Sequence, residues 1–228
     1  MESIILLHGA IGAKSQFVTL ANELKKKFEV HLLNFSGHGT ADVVSDFSIQ
    51  LFSYDLLNYM NQFPGKKFHV FGYSMGGYVA LYTELHHPGT LISVFTYGTK
   101  FKWDKEIAEK ECKMLNADKI AEKLPAFANE LALRHGEENW KHVLDKTAKM
   151  MLKMGENPPL KDDEFSKINI PVIISWGDAD KMVSKEESVN VKNRLCNGFF
   201  KSYTNWPHPI EKLDYEVLAN DIELFVEK

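Results

Sequence analysis

Short, continuous apolar runs alternate along this chain with longer stretches whose apolar residues recur at every third or fourth position. The first kind reads as buried strand and the second as amphipathic helix. SIILLHG is the first apolar run, a strand that starts almost at residue 1 and stops at a glycine. SQFVTLANELKKK follows with helical spacing and closes on three lysines, which suit the negative end of a helix dipole. FEVHLLNF reads as a second strand, ended by the turn-rich SGHGTAD. SIQLFSYDLLNYMNQF is helical in spacing and begins at Ser48, whose hydroxyl suits an N-cap. KKFHVFGY and LISVFTYG are the next two strands, with the helix MGGYVALYTELHH between them. Later come the strand IPVIISWG, a helix KEESVNVKNRLC opened by a Ser184–Glu187 capping box, the strand-like FFKSYTN and a closing helix from about Glu211. Strand and helix alternate on short connections, the pattern of a mostly parallel sheet flanked by helices on both faces.

Between about Lys100 and Leu160 that alternation stops. KEIAEKECKML, ADKIAEK, PAFANELALRH and ENWKHVLDKTAKMMLKM are all helical in spacing, with Pro125 where a first helical turn tolerates it. GENPPLKDDEF then leads the chain back to the sheet. The expected organisation is an α/β core of residues 1–99 and 166–228, interrupted by a helical insertion at 100–165. Ligands of open α/β sheets bind outside the carboxyl ends of the strands. An insertion leaving from that edge is placed to cover such a site.

Composition narrows the partners. With 228 residues, 44% of them hydrophobic and 25% charged, the chain has the make-up of an ordinary globular protein with one sizeable core. A net charge of -4 gives no electrostatic reason to expect nucleic acid or a membrane surface as partner. Cys112 and Cys196 show no motif spacing, so a reducing cytoplasm without disulfides is expected. The opening apolar run is too short for a signal-peptide core, and no stretch approaches the roughly 20 apolar residues that span a bilayer. The histidines lack metal-ligand spacing such as H-E-x-x-H, and HGAIG does not extend to a phosphate-binding loop, so neither metal nor cofactor is expected. A small molecule is the expected partner, and the sequence says nothing of oligomeric state.

One hydroxyl stands out against the pattern. Gly72-Tyr73-Ser74-Met75-Gly76 fits G-x-S-x-G between a strand and a helix, the context in which that motif presents a nucleophile on a strained turn. A glycine-rich turn with Ser74 as a simple N-cap fits the pentapeptide as well. A serine nucleophile needs a base, and the base an orienting carboxylate. Asp178 and Asp180 follow the strand IPVIISWG, and His208 follows the last strand, in the order serine, acid, histidine. Asp46 and Asp55 precede the serine. His31 and His69 lie within strands, and His86 and His87 end a helix.

In LLHGAIG, SGHG, GYSMGG, WGDADKMV and WPHP, all in family order, the chain resembles the α/β-hydrolase superfamily over nearly its whole length. The family's G-x-x-D-x-x-V spacing is matched by Gly177, Asp180 and Val183, so the resemblance favours Asp180 over Asp178 as the acid. It implies an oxyanion hole from the backbone amides of Ala10 and Met75, and it makes the insertion a cap. It also implies acyl transfer through Ser74, with His208 as general base and Asp180 behind it. A serine at this position argues against the family branches that use a carboxylate nucleophile. Two departures are visible: the one or two strands usual before the His-Gly strand are missing, and Pro207 stands where a glycine often precedes the histidine.

Candidate substrate contacts come from position. Phe101 and Trp103 lie where the chain enters the insertion, near the strand ends. Trp140, Leu144, Thr147, Met151 and Met154 share one helical face, which either packs on the sheet or forms a pocket wall, Trp140 and Met151 being its candidate contacts. The reading is an esterase of small or medium, partly apolar carboxylic esters, thioesters or lactones. Its alternatives are a lyase or synthase on the same triad, for which Lys181 is the candidate lysine, and a ligand-binding signalling protein that keeps the triad.

Overall fold

The computed structural model describes residues 1–227. Its frame is a sheet of six strands in the order β2-β1-β3-β4-β5-β6, every neighbouring pair parallel. The strands are β1 (Ser3–Leu7), β2 (Glu29–Leu33), β3 (Phe68–Tyr73), β4 (Leu91–Tyr97), β5 (Val172–Gly177) and β6 (Gly198–Tyr203). β1 and β3 are buried along their whole length, which is why they read as unbroken apolar runs. The edge strands β2 and β6 are only partly buried, with one buried residue each.

Side-chain alternation sends each strand into two cores. Ile5, Leu7, Val70 and Val94 face one side, where α2 (Ile49–Met60), α3 (Met75–His86) and α8 (Lys185–Arg194) cover the sheet. Ile4, Leu6, Phe71 and Phe95 face the other, against α1 (Val18–Leu24) and α9 (Tyr215–Val226). Local capping follows the expected chemistry. The Ser48 side chain accepts the Leu51 N–H, and Ser184 and Glu187 form a reciprocal box.

Two helix ends differ from expectation. α1 stops at Leu24, and Lys25, Lys26 and Lys27 form the turn behind it. The closing helix starts at Tyr215, where the Asp214 carboxylate accepts the Glu216 and Val217 amides. Glu211 instead belongs to a single tight turn, Ile210–Lys212, whose Ile210 is fully buried. That buried isoleucine anchors the segment just after His208.

Between β4 and β5 the chain forms α4 (Lys105–Lys113), α5 (Ala117–Lys123), α6 (Pro125–His135) and α7 (Trp140–Glu156). Ile120, Leu131, Trp140 and Leu144 make a separate small core within these helices, while Val143, Met150 and Met154 pack into the sheet-side core. Polar ties hold the insertion over the strand ends. Glu187 accepts the Phe101 amide at 3.0 Å, and Asn139 Nδ2 donates to the Gly37 carbonyl at 3.1 Å. No helix among the described residues is long and apolar enough to cross a membrane.

Candidate active site

β3 ends in a turn that only a particular set of residues permits. Ser74 sits at φ 51°, ψ -118°, one of two non-glycine residues with positive φ among those described. Such a backbone persists only where its surroundings hold it. Here the Ser74 amide donates to the Tyr97 carbonyl at 2.8 Å, and Thr99 Oγ1 donates to the Ser74 carbonyl at 2.9 Å. The flanking glycines are required by close approach. A Cβ at Gly72 would lie 2.4 Å from the Gly77 nitrogen, and one at Gly76 would lie 2.2 Å from the Leu7 carbonyl oxygen.

The turn lifts the Ser74 hydroxyl toward the loop after β6. His208 Nε2 lies 3.2 Å from Ser74 Oγ, and His208 Nδ1 lies 2.7 Å from Asp180 Oδ2. The Asp180 side chain is fully enclosed. Its Oδ1 accepts two backbone amides, Met182 at 2.7 Å and Val183 at 3.0 Å. With one oxygen occupied by donors, the other is left to accept Nδ1–H, which places the lone pair of a neutral imidazole on Nε2. Asp178 is exposed and does something else: its Oδ1 accepts the Asn205 amide at 2.5 Å, supporting the loop that carries the histidine. Tyr97 Oη donates to the Pro207 carbonyl at 2.8 Å, so the proline's stiff carbonyl is itself a fixed point.

The Ala10 and Met75 amides make no hydrogen bond among the described residues. Met75 is the first residue of α3, where an amide has no partner within the helix. Both residues line the cleft into which Ser74 and His208 open, a space of about 470 Å³ with its mouth included. Uncharged amides fixed beside a hydroxyl suit the stabilisation of a developing oxyanion.

Of the expected substrate contacts, Trp103 and Met151 lie on the cleft wall. Phe101 and Trp140 do not. Phe101 is buried between Tyr78 and Phe165, with ring centroids 6.2 and 5.7 Å away. Trp140 is enclosed in the insertion's own small core. The wall instead includes Tyr78, Ile49, four further methionines (Met75, Met150, Met154 and Met182), and the charged pair Lys100 and Glu111. Lys181 is exposed and outside the lining. A usable hint existed for Lys100, which stands three residues past β4, at the carboxyl end of a central strand.

A family model described as the alpha/beta hydrolase fold matches residues 2–139. The chain belongs to that family. Among curated relatives, 3-oxoadipate enol-lactonase 1 from Acinetobacter baylyi is 20% identical over 192 residues, covering 77% of this chain and 71% of the lactonase. Among solved structures, a thermophilic esterase from Thermogutta terrifontis superposes with a TM-score of 0.79 at 19% identity, covering 100% of this chain and 90% of the esterase. NosK from Streptomyces actuosus does so with a TM-score of 0.82 at 16% identity, over 99% of this chain and 97% of NosK. At these identities the structural likeness is one of fold.

In this α/β hydrolase, three buried histidines lie beneath the Ala10 loop. His38 Nε2 donates to the Ala10 carbonyl at 2.7 Å, and His135 of α6 donates from Nε2 to the Ile11 carbonyl at 2.9 Å. His8 Nε2 accepts the Phe35 amide at 3.1 Å. Removal from water pushes both His38 and His135 down from 6.5 to about 4, and His8 well below its ordinary value. The folded protein therefore refuses protons that the unfolded chain takes up near pH 6.5. Their contribution to stability is complete above that pH and is lost as pH falls toward about 4. For His135, whose Nδ1 accepts the Gly39 amide at 2.9 Å as a neutral ring does, this amounts to about 2 kcal/mol at pH 5. The urea midpoint is expected to fall between pH 7.5 and pH 5, with a shallower fall in His135→Asn. A midpoint unchanged over that range would show that these rings do not resist protonation.

Proposed function

We propose that this α/β hydrolase is a serine esterase that cleaves a small or medium, partly apolar carboxylic ester, thioester or lactone through an acyl-enzyme. The observation that carries the reading is the hydrogen-bonded line from Ser74 Oγ through His208 to Asp180 Oδ2, at 3.2 and 2.7 Å. His208 Nε2 takes the Ser74 proton as Oγ attacks the carbonyl carbon. The new oxyanion rests on the Ala10 and Met75 amides, and Asp180 stabilises the imidazolium. His208 then gives the proton to the leaving alkoxide or thiolate. Water, deprotonated by the same histidine, opens the acyl-enzyme and regenerates the serine.

The methionine-lined cleft supports a partly apolar substrate, since thioether side chains adapt to varied apolar shapes. The relatives named above as an esterase and an enol-lactonase act on carboxylic ester bonds by name, which is consistent with this reading. The insertion forms one wall through Trp103, Glu111 and three methionines, and we assign it the role of a cap. The test is hydrolysis of 4-nitrophenyl butyrate by wild type and by Ser74→Ala. Turnover that vanishes with the hydroxyl supports the reading, and turnover that survives overturns it.

A further inference from the structure

Lys100 and Glu111 are the two formally charged side chains in the wall of a cleft that is otherwise apolar apart from Ser74 and His208. Their side chains are 15% and 6% exposed, and Lys100 Nζ stands 3.6 Å from Glu111 Oε1. That separation is too long for a hydrogen bond. Lys100 is anchored on the other side, donating to the Met182 carbonyl at 2.6 Å. The Glu111 carboxylate has no hydrogen-bond donor among the described residues, and the little of this side chain that remains accessible faces the cleft. A buried pair in this state is a poor device for stability, because its desolvation is incompletely offset. It is an effective device for recognition, because each partner has capacity left over.

From this pair we infer the substrate class of the proposed esterase, so the inference rests on that reading: an uncharged ester carrying a hydroxyl group away from the scissile bond. A hydroxyl oxygen accepts from the Lys100 ammonium while its O–H donates to Glu111, so one group gives each partner a hydrogen bond that it lacks. Charge decides against the other candidates. A substrate carboxylate meets Glu111 as well as Lys100, and a substrate ammonium meets Lys100 as well as Glu111. The pair is neutral in sum and favours a neutral group that both donates and accepts. A purely apolar tail leaves the pair unsatisfied and displaces whatever solvent reached it. Lys100 and Glu111 are thus specificity-determining residues, with no part in moving the Ser74 proton.

The test compares alkyl phosphonofluoridates whose tails of four, six or eight carbons end in methyl, hydroxyl or carboxylate. The reading is the second-order rate of adduct formation on the Ser74 peptide. At the best-fitting length the hydroxyl tail should react about tenfold faster than the methyl tail, and the carboxylate tail slowest of all. Lys100→Met combined with Glu111→Gln removes the charges with little change of volume and should bring hydroxyl and methyl tails within about twofold. Equal rates for hydroxyl and methyl tails in wild type at every length overturn the inference, as does a fastest carboxylate tail. Absence of any Ser74 adduct with all tails is a different outcome, which removes the serine-esterase reading and the inference with it. The wild-type ranking stands on its own should the double variant fail to fold.

Discussion

Ser74→Ala is expected to lower the turnover of 4-nitrophenyl esters by roughly 10^5-fold while leaving the fold intact. The size follows from the division of labour in the site. In the proposed mechanism there is no acyl-enzyme without Oγ, and His208 has no bound nucleophile to deprotonate. What remains is binding and the oxyanion donors, which on their own accelerate water attack only modestly. Stability should respond differently to two truncations at this residue. Alanine keeps the strain of φ 51°, so its unfolding midpoint stays near wild type. Ser74→Gly relaxes that strain and should gain about 1 kcal/mol, the relief of a left-handed backbone less the extra entropy of glycine. An inactive, more stable glycine variant is the signature of strain held for function.

The second large effect is expected at Asp180. Asp180→Asn should reduce kcat by about 10^4-fold, out of proportion to the loss of one charge. In the wild type, Oδ1 is committed to the Met182 and Val183 amides, and Oδ2 accepts Nδ1–H of His208. The asparagine oxygen must keep the two amides, which forces its NH2 group toward the histidine. Nδ1 then has to accept, so the ring proton moves to Nε2, the atom that receives the Ser74 proton in the proposed mechanism. The imidazole is left in place with the wrong tautomer. Asp178→Asn retains an acceptor for the Asn205 amide at an exposed position, and should alter kcat by no more than about twofold. Steady-state kinetics of the two variants, with His208 geometry checked by crystallography, measure this contrast. A larger loss at Asp178 would move the acid to that residue.

Most of the sheet was legible because its central strands are buried on both faces and therefore appear as unbroken apolar runs, as in SIILLHG and KKFHVFGY. The turn that carries Ser74 was legible for a related reason. Close backbone approach at Gly72 and Gly76 forbids any side chain, and that prohibition is written directly into the residue identities. Cavity contacts were harder to read. The face running from Trp140 to Met154 is apolar throughout, but periodicity does not say what each turn of a helix meets. α7 crosses three environments: Trp140 and Leu144 enter the insertion's own core, Thr147 donates to the Ala10 carbonyl at 3.4 Å, and Met151 reaches the cleft. At the junction after β4, the aromatic Phe101 turned inward to stack near Tyr78, and the charged Lys100 turned to the cleft. A reading that looks for apolar substrate contacts passes over a lysine whose partner is eleven residues away on a helix. The closing helix starts four residues later than the sequence pattern predicts, for a local reason. Glu211 sits four residues before α9, in a turn fixed by buried Ile210, and the true cap, Asp214, carries the carboxylate that starts the helix.

The decisive measurement is the mass of the protein after exposure to a fluorophosphonate, with the modified peptide identified and Ser74→Ala treated in parallel. The reagent requires no guess about the substrate. It requires a serine activated by a base, beside donors that hold a phosphoryl oxygen. A single adduct on the peptide containing Ser74, absent from the alanine variant, is the predicted result. A folded wild-type protein that gains no mass, or gains it at another serine, would contradict the mechanism derived from Ser74, His208 and Asp180.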